Sequence, residues 1–121
     1  MVLSLCEYAA ANRDGTFTII RGGIEFWETQ HLPLAVALWL MAELRPHSLP
    51  SSESPLLIIG TTAGGEEVFR LDGLVVVASP EKVSRFAIPL QFVAGAYGEI
   101  MFRCQIGEHG SQLAFDVRQV Q

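Results

Sequence analysis

Apolar and polar residues alternate along most of this chain, and the alternation predicts strands. Ile100, Phe102, Cys104 and Ile106 are apolar at every second position, with Glu99, Met101, Arg103 and Gln105 between them. Further on, Leu113, Phe115 and Val117 alternate with Gln112, Ala114, Asp116 and Arg118. A period of two sends successive side chains to opposite faces, which is the signature of a half-buried strand. The tetrapeptide "GEHG" at 107–110 lies between the two runs, and glycine at both ends suits a hairpin turn. Phe102, Phe115 and Cys104 are then expected in the core, and His109 at the loop tip.

The same pattern runs upstream. "VLSLCEY" alternates, "TFTII" is β-branched and aromatic, and "IEFWE" is short and aromatic. "PLLIIGT" and "EVFRLDGLVVVAS" flank "TAGGE" as a second hairpin. "SRFAIPLQFV" reads as a strand containing Pro89, which removes a ladder donor and so predicts an edge strand or a local bulge. Clusters of Gly, Pro, Asn, Asp and Ser at 12–15, 21–23, 45–55, 63–66, 79–82 and 94–98 punctuate these runs. The intervals between them suit strands and are too short for long helices.

One segment is ambiguous. Residues 34–44, "LAVALWLMAEL", favour helix by propensity, yet they are apolar on every side and allow no helical stripe. As a strand, Val36, Leu38, Leu40 and Leu44 share one face, and Ala35, Ala37, Trp39 and Met41 share the other. We read it as a strand whose second face needs cover from a loop, a helix or another subunit. The expected fold is all-β: an immunoglobulin-like antiparallel β-sandwich of about seven to eight strands, one domain over residues 1–121.

Composition narrows the function. Half of the 121 residues are hydrophobic and 17% are charged, which is ample for one core. The formal charge of −5, with no Lys/Arg cluster, argues against nucleic acid and anionic membranes. The first residues lack the basic start of a signal peptide, and the longest apolar run, 32–44, is too short to span a bilayer. A soluble cytoplasmic protein is expected. Cys6 and Cys104 both lie in apolar alternation, so two buried free thiols are expected, with one bridge between sheets as the alternative.

Catalytic signals are weak. His31, His47 and His109 lie in turn or loop segments without ligand spacing, so no metal and no cofactor is expected. No serine sits in a nucleophile elbow, and "IIGTTAGGEE" lacks the lysine of a phosphate loop. The carboxylates are scattered, and spacing alone cannot pair two of them. Two carboxylates, or His with Ser, in one pocket would point to hydrolysis. "RGGIEFWE" is the most informative local feature. Phe26 and Trp27 point to opposite faces if extended, so one can be core while the other is exposed. An exposed Trp27 suits a sugar ring or a partner protein; the alternative is that both aromatics fill the sandwich ends.

Residues 6–44 resemble the opening of a family of small uncharacterised bacterial proteins, a domain of unknown function. The resemblance rests on Asp14-Gly15, Gly22-Gly23-Ile24, Trp27, Pro33 and Glu43-Leu44. "IPLQF" and "YGEIMFRCQIGEHGSQLAFDVR" are similar to that family's closing hairpin. The resemblance implies a β-sandwich and carries no activity. The expected function is therefore a non-enzymatic protein-binding or assembly module, with a small-molecule or carbohydrate-binding domain as the alternative. Trp27, Trp39 and Met41 are the candidate binding residues. The expected partners are a second copy of the chain, in a two-fold dimer centred on Trp39, or another protein.

Overall fold

In the computed structural model, residues 1–12, 14, 16–45, 53–76 and 83–121 are described. They form nine strands and no helix: β1 (Val2–Ala11), β2 (Phe17–Gly22), β3 (Phe26–Thr29), β4 (Leu34–Leu44), β5 (Glu53–Thr62), β6 (Glu67–Val76), β7 (Ser84–Ala94), β8 (Gly98–Ile106) and β9 (His109–Gln119). A first sheet runs β2-β1-β4-β7 and a second runs β3-β9-β8-β5-β6. Every ladder is antiparallel except β3 with β9, which is parallel. The sandwich is thus all-β as expected, with one strand more and one parallel edge.

The two inner faces meet in one apolar core. Val36, Leu38 and Leu40 of β4 and Leu90 and Phe92 of β7 face Ile58 of β5, Phe102 and Ile106 of β8, and Phe115 and Val117 of β9. Phe92 sets its ring edge-on to Phe102 at 5.3 Å and to Phe115 at 6.1 Å, the geometry that the aromatic quadrupole favours. Phe102 and Phe115 are fully buried, so the predicted register of the closing hairpin holds. Gly107 opens the two-residue turn between Ile106 and His109 with a positive φ of 58°. A leading glycine with positive φ fits the primed turns, whose twist matches that of the strands.

Leu34–Leu44 is a strand. Its apolar inner row is buried, and its ladder with β7 is unbroken from Leu34↔Ala94 to Leu44↔Ser84. Burial on a two-sided sheet outweighs the helix propensity of its Ala, Leu and Met residues. Pro89 lies on β7, which pairs with β4 alone, so it occupies an edge without a bulge.

Several local expectations change. β5 begins at Glu53, inside the stretch 45–55 read as a turn; residues 46–52, with His47, lie outside the described residues. His109 is not at the loop tip but is the first residue of β9, paired with Ile106. Phe26 and Trp27 do not divide between core and solvent: they are 44% and 36% exposed. β3 is a four-residue strand at the outer edge of the second sheet, where neither ring is buried against the first.

Candidate interaction surface

The outer face of the first sheet is built by simple register. Ala35, Ala37, Trp39, Met41 and Glu43 point outward on β4, opposite Val93, Gln91, Pro89, Ala87 and Arg85 on β7. Only the last pair is charged, and Arg85 bonds Glu43 at 3.5 Å. Ala35, Ala37 and Pro89 are exposed and Val93 is 56% exposed. The result is a flat area with an ion pair at one end and no charge along the rest of the two strands.

Trp39 and Met41 lie half-buried on this face, and part of their cover comes from within the chain. β1 pairs with β4 only from Val2↔Glu43 to Cys6↔Trp39. Beyond that point it stays paired to β2 and leans over the sheet. Tyr8 stands edge-on to Trp39 at 5.5 Å, and the Arg85 guanidinium lies 5.6 Å from the Phe17 ring centre. Tyr8, Trp39, Val75, Arg85, Phe86 and Ala87 border a mainly apolar cleft of about 330 Å³ beneath the hairpin. The sequence reading missed this intrachain cover. "YAAA" in β1 is the signal, because small residues after an aromatic let one strand lie close upon another.

Trp27 is separate from Trp39. It lies on β3 in the second sheet, opposite Val117, and β3 holds the far edge of that sheet. The adjacent Phe26 receives the Arg118 guanidinium at 4.1 Å, and Arg118 also donates to Asp116 at 2.8 Å. The three candidate binding residues therefore fall on two surfaces, Trp39 with Met41 and Trp27 alone.

A second cleft, about 500 Å³, opens where the start of β1 meets β9 and the residues 23–25 that precede β3. Glu25, Glu99, Asp116 and Arg118 border it with Ser4. Glu99 and Asp116 are cross-strand partners, a convergence that sequence spacing could not show. The cleft therefore holds the paired carboxylates that hydrolysis would use; Glu25 and Glu99 are exposed, and Arg118 pairs with Asp116 at 2.8 Å.

Both thiols are buried and free. Cys104 belongs to the core on the inner face of β8, and burial pushes its pKa up to about 11. Cys6 is on the outer face of β1 beside Gly22. Burial raises its pKa, and hydrogen bonds from Ser4 and Gly23 partly offset the rise. The backbone of the first sheet lies between the two, so a bridge would require the sandwich to open. Among the described residues, no group of three or more His, Cys, Asp or Glu side chains converges as a metal site. No helix there is long and apolar enough to cross a membrane.

In comparisons with known proteins, no family model and no curated protein matches the chain.

Proposed function

We propose that this protein is a non-enzymatic assembly module that pairs with a second copy of itself through the outer face of β4 and β7. The observation that carries the proposal is the uncharged surface of Ala35, Ala37, Pro89, Gln91 and Val93, five outward positions in unbroken register. Contiguous apolar surface of this kind marks an interaction site more often than it faces water. A flat sheet face is also self-complementary about a two-fold axis, the commonest symmetry of soluble assemblies. Trp39 and Met41 border the area and supply large side chains at its rim.

An immunoglobulin-like fold and membership of the small bacterial family form part of the same proposal. Strand order supports the first: β4 neighbours β7, and β5, β8 and β9 are successive in the other sheet, the arrangement of strands B-E and C-F-G. The quoted motifs alone support the second. A cytoplasmic location is supported by two thiols that are buried on different faces and unpaired.

Sedimentation velocity tests the assembly. The wild type is expected to gain mass with concentration. Ala37→Glu, an exposed change on this face, is expected to lower that mass while the β circular-dichroism signal stays. A wild type that remains monomeric at high micromolar concentration overturns the proposal, as does an Ala37→Glu variant with the wild-type mass distribution.

A small-molecule site is the second reading, and the cleft beneath Tyr8 favours it. Its lining suits a small apolar ligand better than a sugar, because few polar groups face inward. An apolar fluorophore that binds and quenches Trp39 emission would support it, and loss of that binding in Trp39→Ala would place the site.

A further inference from the structure

Each sheet has two edge strands, and three of the four edges are poor templates for further pairing. β3 has four residues, β2 has six with a positive φ at Arg21 beside its last residue, and β7 carries Pro89. Short length, irregular backbone and proline are the usual protections of an edge. β6 differs. It has ten residues and no proline, and it pairs with β5 in unbroken register from Phe69 to Val76. Its free edge ends in Leu74 and Val76, 64% and 63% exposed, the highest values among the exposed large apolar side chains described.

The geometry points to β6 as a second interface, at which two copies pair edge to edge in antiparallel fashion and join their second sheets. A two-fold axis through Leu71 sets the register. Arg70 then faces the partner's Asp72, and Asp72 faces the partner's Arg70, so both charges on the outward face are matched. A two-fold axis through Asp72 or through Arg70 would instead oppose like charges, which destabilises a cross-strand pair. An axis through Gly73 would set each charge against an apolar residue. Only the register about Leu71 among these is self-complementary.

Gly73 supports the approach of a partner at this edge. It stands in regular strand opposite Leu56, and a Cβ built on it meets nothing within 4 Å. No neighbour among the described residues explains the missing side chain. A glycine inside a strand often marks the close approach of another backbone or group. About Leu71, the residue that faces it is the partner's Phe69, whose own ring stays over Gly60 against Phe102, so the open position admits the partner's backbone. Arg70 already reaches Glu67 at 3.0 Å and Asp72 of its own strand at 3.8 Å. The second contact is long and exposed, so exchange for the partner's Asp72 costs little.

This interface is independent of the β4–β7 face, and two different two-fold contacts on one chain build an assembly larger than a dimer, closed as a tetramer or open as a row according to how the axes meet. The test uses Ala37→Glu as background, so that its result does not depend on the first proposal. In that background the chain is expected to dimerise at high micromolar concentration. Adding Arg70→Asp or Asp72→Arg makes two like-charged pairs and should weaken dimerisation by about tenfold or more. Both side chains are exposed, so the fold is kept. A one-to-one mixture of the two variants restores opposite charges at both pairs and should recover the dimer. A monomeric background, or a mixture that associates no better than its components, overturns the β6 interface.

Discussion

At the scale of single residues, the tightest packing is at Gly60. A Cβ there would stand 2.7 Å from Cε1 and 3.0 Å from Cδ1 of Phe102. That ring cannot retreat, because it is fully buried and packs against Phe69 and Phe92. Gly60→Ala is expected to cost about 1–3 kcal/mol by overpacking. Phe102→Ala is expected to cost about 3–5 kcal/mol by leaving a cavity. The two are coupled: with the ring removed, Gly60→Ala should become nearly neutral in urea unfolding. Equal costs in both backgrounds would show that the ring is not what Gly60 accommodates. Cys104 gives a second prediction. Its folded pKa of about 11 exceeds the ordinary value of 9.0, so the unfolded chain loses this proton first as pH rises. The contribution of the neutral thiol to stability is complete below pH 9 and is lost between there and about 11. Unfolding midpoints should therefore fall over that window, and Cys104→Ala should fall less steeply. Native thiol labelling at neutral pH should be slow and reach two equivalents only on denaturation; zero equivalents in unreduced, denatured chain would overturn the free thiols.

At the scale of elements, the residues that alternate cleanly were the legible ones. Ile100 to Ile106 and Leu113 to Val117 fixed the closing hairpin and its register, because a slip of one residue would turn Phe102 and Phe115 to solvent. Pro89 located an edge, since only there can a strand lose a donor without penalty. The misread elements are those whose surroundings are set by distant strands. Trp27 is exposed on β3 at the outer edge of its sheet, and nothing in "IEFWE" states that position. The outward row of β4 was legible as an apolar face, but its partial cover by the β1–β2 hairpin was not. That cover depends on β1 leaving β4 after Cys6, which alternation does not encode. The cleft carboxylates fall in the same class: Glu99 and Asp116 come from β8 and β9 and Glu25 from the residues before β3, and only strand pairing and the Asp116 N–H bond to the Glu25 carbonyl unite them.

At the scale of the molecule, surface charge contributes little and topology a great deal. All five ion pairs among the described residues have at least one partner well exposed to solvent, and pairs of this kind are worth about 0–1 kcal/mol each. Stability comes instead from the shared core, which no single hairpin can build. Only β1–β2, β5–β6 and β8–β9 are local ladders; β1 must find β4, β4 must find β7, and β5 must find β8. Closure of the edge is the most distant event, because Phe26 pairs with Asp116. An isolated hairpin is marginal in water, and long loops must close before their contacts reward the ordering. Folding is therefore expected in the range of about a millisecond to a second, as for other sandwiches dominated by non-local pairing. Trp39, half-buried against Tyr8, provides the fluorescence signal. In stopped-flow refolding below the micromolar range, where copies do not meet, the main phase should fall in that window. Phe115→Ala should slow refolding if the β8–β9 ladder belongs to the nucleus, and otherwise should speed unfolding alone. A main phase complete within tens of microseconds would show that local hairpins, and not the closure of the sandwich, set the barrier.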